Sequence, residues 1–247
     1  MIVKRRPDRL SDGLKRLLED LGFRTVLLIV VCMLYFSGSG MFAMPVHFFA
    51  AFTPAHVLWV FWMALFIKRA IPAGQRFMAG RKAFAQYNDI VACGARGLKA
   101  NTRRLNNDAL NAALCGLALN VPFYLLYWFR VIDASALLVY AVFFFFVETV
   151  SETLFCPLQR FVMNNRCCQV CRVYMWRSIF TVAPLLAAPN FYSITLIMAA
   201  SVSLVAWELS FRKHPEFFFE GSNRNLRCSA CADKLCQIRG KMIVNRG

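Results

Sequence analysis

Long uncharged runs alternate along this chain with shorter basic ones, and that alternation sets the expected elements. No Asp, Glu, Lys or Arg occurs from Thr25 to Ile67. At about 20 residues per membrane-spanning helix, the run predicts two helices and a turn. The break is expected among Pro45, His47 and Thr53-Pro54, where Thr53 can cap and Pro54 can occupy a first helical turn. Ahead of it, residues 1–24 carry Leu10, Leu14, Leu17, Leu18 and Leu21 at helical spacing among seven cations, from Lys4 to Arg24. That pattern predicts an amphipathic helix lying in a bilayer interface. No small-residue cleavage site follows a short apolar core, so the segment is expected to stay in the mature protein.

Residues 68–107 form the longest hydrophilic stretch, with nine cations against Asp89. Phe84, Tyr87, Val91 and Leu98 recur in it at three- to seven-residue steps, which predicts a surface helix around 82–98. Residues 108–155 then hold two further spans. Ala109–Phe129 is expected to kink at Pro122 and Ala134–Phe155 to be capped by Asp133 or Ser135, with Arg130 to Asp133 as a tight turn between them. After a cysteine-bearing segment at 156–177, the run Ser178–Trp207 is uncharged but interrupted by Pro184 and Pro189-Asn190. A single span there would send the basic tail, 212–247, to the opposite side. A hairpin at 178–211, turning at Pro189-Asn190, keeps that tail with the other basic segments, as positive loops prefer.

Composition sharpens the class. Of 247 residues 59% are hydrophobic and 17% charged, against about 45–50% and about 25% in soluble domains. Mean hydropathy is +0.49. The expected fold is therefore all-α, a polytopic integral membrane bundle of six spans with both termini cytosolic. The net charge of +16 fits cytosolic loops lying against anionic lipid better than nucleic acid, for which no reading motif is present. A multi-pass protein of a bacterial cytoplasmic (inner) membrane is expected, with room for a membrane protein partner.

Topology gives the ten cysteines their meaning. Cys168 and Cys171 form one Cys-x-x-Cys turn and Cys228 and Cys231 a second, with Cys167 and Cys236 as additional thiols. All six are expected in the cytosol, where disulfides are rare and paired thiols more often hold metal. Two such turns supply the four thiolates of a tetrahedral zinc. A metal knot is thus expected to staple 164–172 to 226–236, the hairpin bringing two distant segments to one membrane face. The surplus thiols also suit a [4Fe–4S] cluster. Neighbouring Arg166, Arg172, Arg227 and Lys234 are expected to favour thiolates.

Glu148 and Glu152 lie four apart on one helix face, toward the cytosolic end of an apolar span. Ionisable groups in that setting are costly and face a partner or a polar interior. Pairing with Arg160 or Arg166 is one expectation. A proton or cation path, with Glu208 joining from the last span, is the other. No phosphate loop, nucleophile elbow or paired-His zinc motif is present. The expected function is transport, assembly or scaffolding around a thiolate site. An iron–sulfur redox protein feeding a quinone-like acceptor and a thiol or metal sensor are the alternatives.

Overall fold

The computed structural model describes residues 12–38, 52–70, 95–154, 156–164 and 171–227. Its regular structure among these residues is entirely helical. Six α-helices are described: α1 (Asp12–Phe36), α2 (Pro54–Ala70), α3 (Ala95–Trp128), α4 (Ala134–Thr153), α5 (Arg177–Val182) and α6 (Phe191–Lys213). Three of them, Arg96–Trp128 within α3 together with α4 and α6, are long and apolar enough to cross a membrane.

Local chemistry fixes the helix starts. Asp133 accepts the Ala136 amide at 2.9 Å and caps α4. Asn190 and Ser193 form a reciprocal capping box at the head of α6. Pro54 begins α2, directly after Thr53. Two expected boundaries are replaced by continuous helix. Residue 24 is no break, since α1 runs from Asp12 through to Phe36. The third span does not begin at Ala109 either, because α3 starts at Ala95 within the basic stretch and continues past Pro122. Charge ends a span, but Arg, Lys and Leu are all good helix formers, so it does not end a helix.

Among the described residues, six segments run between two ends of one bundle. One end holds Arg24, Arg69, Glu148 and Arg177, linked by ion pairs. The other holds Tyr35, Trp128, Ala134 and Leu186 around one cavity, with His56 on Tyr192 joining the starts of α2 and α6. Between these ends run α1, α2, α3, α4, the segment from Tyr174 to Ala187, and α6. The fifth pass is a 3-10 turn (Tyr174–Trp176), α5 and a second 3-10 stretch (Ala183–Ala187). The larger 3-10 rise lets it cover roughly 25 Å with few residues. Six expected spans and three that qualify differ for plain reasons. In α1, Glu19, Asp20 and Arg24 lie ahead of the apolar run, α2 has 17 residues, and the fifth pass is short and mixed.

Packing pairs α1 with α4 and α2 with α6. Trp62, Phe66, Leu137, Ala141, Phe145, Leu196 and Ala200 form the main core. A second cluster at the glutamate end gathers Leu105, Ala109, Met163, Cys171, Tyr174, Trp207, Phe211 and Phe218. At Gly116 a Cβ would meet the Phe180 ring at 2.2 Å, so only glycine admits this contact between α3 and α5. Outward, Leu110, Leu114, Leu117, Val121 and Leu125 on α3, and Ile194, Met198, Val202, Val205 and Leu209 on α6, are exposed. Their three- and four-residue steps make continuous apolar stripes, the surface a helix presents to lipid.

Candidate functional site

The glutamate end carries the charge. Glu148, with a side chain 4% exposed, receives three guanidinium groups from three elements. Arg24 of α1 donates to Oε2 at 3.1 Å and to the Phe145 carbonyl at 2.7 Å, its guanidinium lying over the Phe145 ring. Arg69, from the last turn of α2, donates to Oε1 at 2.9 Å and to Ser178 at 2.7 Å. Arg177, opening α5, brings Nε to 2.6 Å from the same oxygen, out of line for a hydrogen bond. Its terminal nitrogen pairs with Glu152. Asp20 completes the group, bonded to Arg24 at 2.9 Å and to the Thr149 hydroxyl at 3.1 Å.

Three arginines thus face three carboxylates, and the cluster is neutral in sum. Neutrality matters because an uncompensated charge in a low-dielectric interior costs several kcal/mol, roughly. Tyr174 seals one side, its ring under the Arg177 guanidinium and its hydroxyl bonded to Glu152.

Glu208 does not join this group. It pairs with Arg172, whose guanidinium is buried and lies over Phe211, and accepts from the Trp176 indole at 2.8 Å. The Trp207 indole in turn donates to the Arg172 carbonyl at 2.8 Å. A single stretch, 172–178, threads between the two carboxylate sites, Arg172 and Trp176 serving one and Tyr174, Arg177 and Ser178 the other. Arg172 is thereby committed to Glu208, where the sequence pointed to the cysteines.

Arg160, the nearest expected partner of Glu148, is exposed. Arg166 lies outside the described residues. The actual partners were readable in one respect: Arg24 and Arg177 directly border an apolar run and Arg69 follows Lys68 at the end of one, and so all three share a depth with the glutamates.

Of the six motif cysteines only Cys171 is described. It is 7% exposed and packs in the cluster that includes Phe218. Cys167, Cys168, Cys228, Cys231 and Cys236 lie outside the described residues, as do Cys93 and His47. Among the described residues no group of three or more His, Cys, Asp or Glu side chains is arranged to hold a metal. The chain toward Cys228 nonetheless folds back. After α6, Pro215–Phe218 forms a 3-10 turn, Ser222 donates to the Glu216 carbonyl and Asn223 to the Phe217 carbonyl at 2.9 Å. Phe218 meets Trp207 edge-on at 5.0 Å. His214 is exposed and stacks on Phe217 beside Glu216. His56 is buried at the far end, its Nδ1 accepting the Thr53 amide at 3.1 Å.

Comparison with protein families, characterised proteins and solved structures gives no match to this chain.

Proposed function

We propose that this is a polytopic membrane protein of transport, assembly or scaffold type whose cytosolic thiolates clip the loop 164–172 to the tail 226–236. All six passes cross the bilayer in this reading, with the glutamate end at the anionic cytosolic face. A resident zinc takes Cys168, Cys171, Cys228 and Cys231, and supplies a rigid cross-link between the two segments.

The observation that carries this reading is the burial of Cys171 and Phe218 in one cluster. The two cysteine segments are far apart in sequence, yet the described chain flanking each of them meets at the same end of the bundle. Arg227, next to Cys228, donates to the Glu220 carbonyl at 3.3 Å, which keeps that strand of chain turned under α6. One member of the ligand set can be tested for fit, and the buried position of Cys171 beside that fold suits a closed structural site.

Glu148 and Glu152 act here as a clasp. Both Glu148 oxygens are engaged by arginines, and a carboxylate so surrounded offers a transported cation no free oxygen. The clasp ties α1, α2 and the fifth pass to α4.

Elemental analysis of anaerobically purified protein tests the metal. One equivalent of zinc in a colourless preparation is expected. Iron with visible absorption favours the redox alternative, to which the surplus Cys167 and Cys236 would belong. Absence of both metals removes the clip. Cys171→Ser and Cys231→Ser are each expected to lose the metal while Cys93→Ser retains it.

A further inference from the structure

The tyrosine end holds a cavity that neither the clasp nor the thiolate site explains. It measures about 990 Å³ and lies where the end of α1, the turn between α3 and α4, and the second 3-10 stretch meet. Tyr35, Tyr127, Trp128 and Arg130 line it, with Val131 and Leu186 as apolar wall.

Three hydrogen-bond donors reach this space without a protein partner among the described residues: the Tyr35 and Tyr127 hydroxyls and the Arg130 guanidinium. Asp133, which also lines the cavity, caps α4 with Oδ1 at 2.9 Å from the Ala136 amide and forms no ion pair with Arg130 among the described residues. Arg130 also sits at φ 58°, a left-handed conformation that arginine rarely adopts and that Asn and Gly take readily. A charged side chain thus stands at a position whose backbone favours a smaller residue.

We propose that this cavity binds the phosphate headgroup of a membrane glycerophospholipid. Arg130 supplies a forked donor that matches phosphate oxygens, and the tyrosine hydroxyls supply further donors. Tyrosine and tryptophan are the residues that settle at the headgroup level, with ring in the apolar phase and polar edge in the wet one. The acyl chains leave along the exposed apolar residues of α3 near this end, Val121 and Leu125. A free phosphate ion is poorly served by the same walls: one cation, no nest of backbone amides, and indole and aliphatic surface around it.

Trp128 makes the site observable. The full chain in detergent is titrated with phosphatidylglycerol brominated on its acyl chains, and quenching that disappears in Trp128→Phe is assigned to the cavity. Saturable quenching is expected, about tenfold weaker for brominated diacylglycerol, which has the same chains and no phosphate. Arg130→Asn, which suits the left-handed backbone and so spares the turn, is expected to erase the difference between the two lipids. Tyr127→Phe should reduce it several-fold. Equal quenching by both lipids overturns the proposal, as does a preference unchanged in Arg130→Asn. Inorganic phosphate is expected not to protect Trp128, and full protection at equal concentration overturns the lipid as occupant.

Discussion

Replacing Glu148 by glutamine is the sharpest perturbation of the clasp. The amide is close to isosteric and keeps one acceptor oxygen, so the change removes charge and little volume. Three guanidinium groups lose their common partner, but they lose different amounts. Arg24 keeps Asp20 at 2.9 Å and the Phe145 carbonyl at 2.7 Å. Arg177 keeps Glu152. Arg69, with a side chain 10% exposed, loses its pairing with the Glu148 carboxylate and keeps the Ser178 hydroxyl at 2.7 Å. Breaking a buried ion pair by removing one partner costs about 3–5 kcal/mol, so that range is expected for Glu148→Gln. Glu152→Gln leaves Arg177 on Glu148 and should cost about 1–2 kcal/mol. The double change Glu148→Gln with Arg69→Met should recover a large part of the loss, since apolar replacement of a buried pair is often neutral. Reversible unfolding in mixed detergent, followed by circular dichroism, gives the three values and their coupling. A loss under about 0.5 kcal/mol for Glu148→Gln, or a double variant that is no better than the single one, refutes the reasoning.

Gly116→Leu should destabilise by about 1–3 kcal/mol through overpacking against Phe180, with partial rescue by Phe180→Ala in the same unfolding assay. Asn190→Ala removes the capping box of α6 and should cost about 0.5–2 kcal/mol, read as a lowered midpoint without change in metal content. The metal loss expected of Cys171→Ser and the lost lipid preference expected of Arg130→Asn complete the set. These two readouts are independent, because the sites lie at opposite ends of the bundle.

Runs of uncharged residues announced the helices well, and short-range chemistry announced their starts: Asp133 and Asn190 cap where the sequence put a cap and a turn. The position of glutamates 148 and 152 near one end of α4 was likewise readable from spacing. Their partners were not, because sequence proximity suggests Arg160, whereas the fold recruits Arg24 and Arg69 from more than seventy residues away. Depth in a bundle is a shared coordinate that linear distance does not record. The joins at residues 24 and 95 were missed for a related reason. Hydropathy reports where a helix can leave an apolar phase, whereas backbone hydrogen bonding continues through Arg24 and through the polar first half of α3.

The clasp also imposes an order on biosynthesis. Arg24 and Arg69 leave the ribosome well before Glu148, and Arg177 only after it, so the first two helices are made before the carboxylate that joins them to α4. A nascent chain stopped short of α4 therefore lacks the carboxylate on which these two guanidinium groups meet.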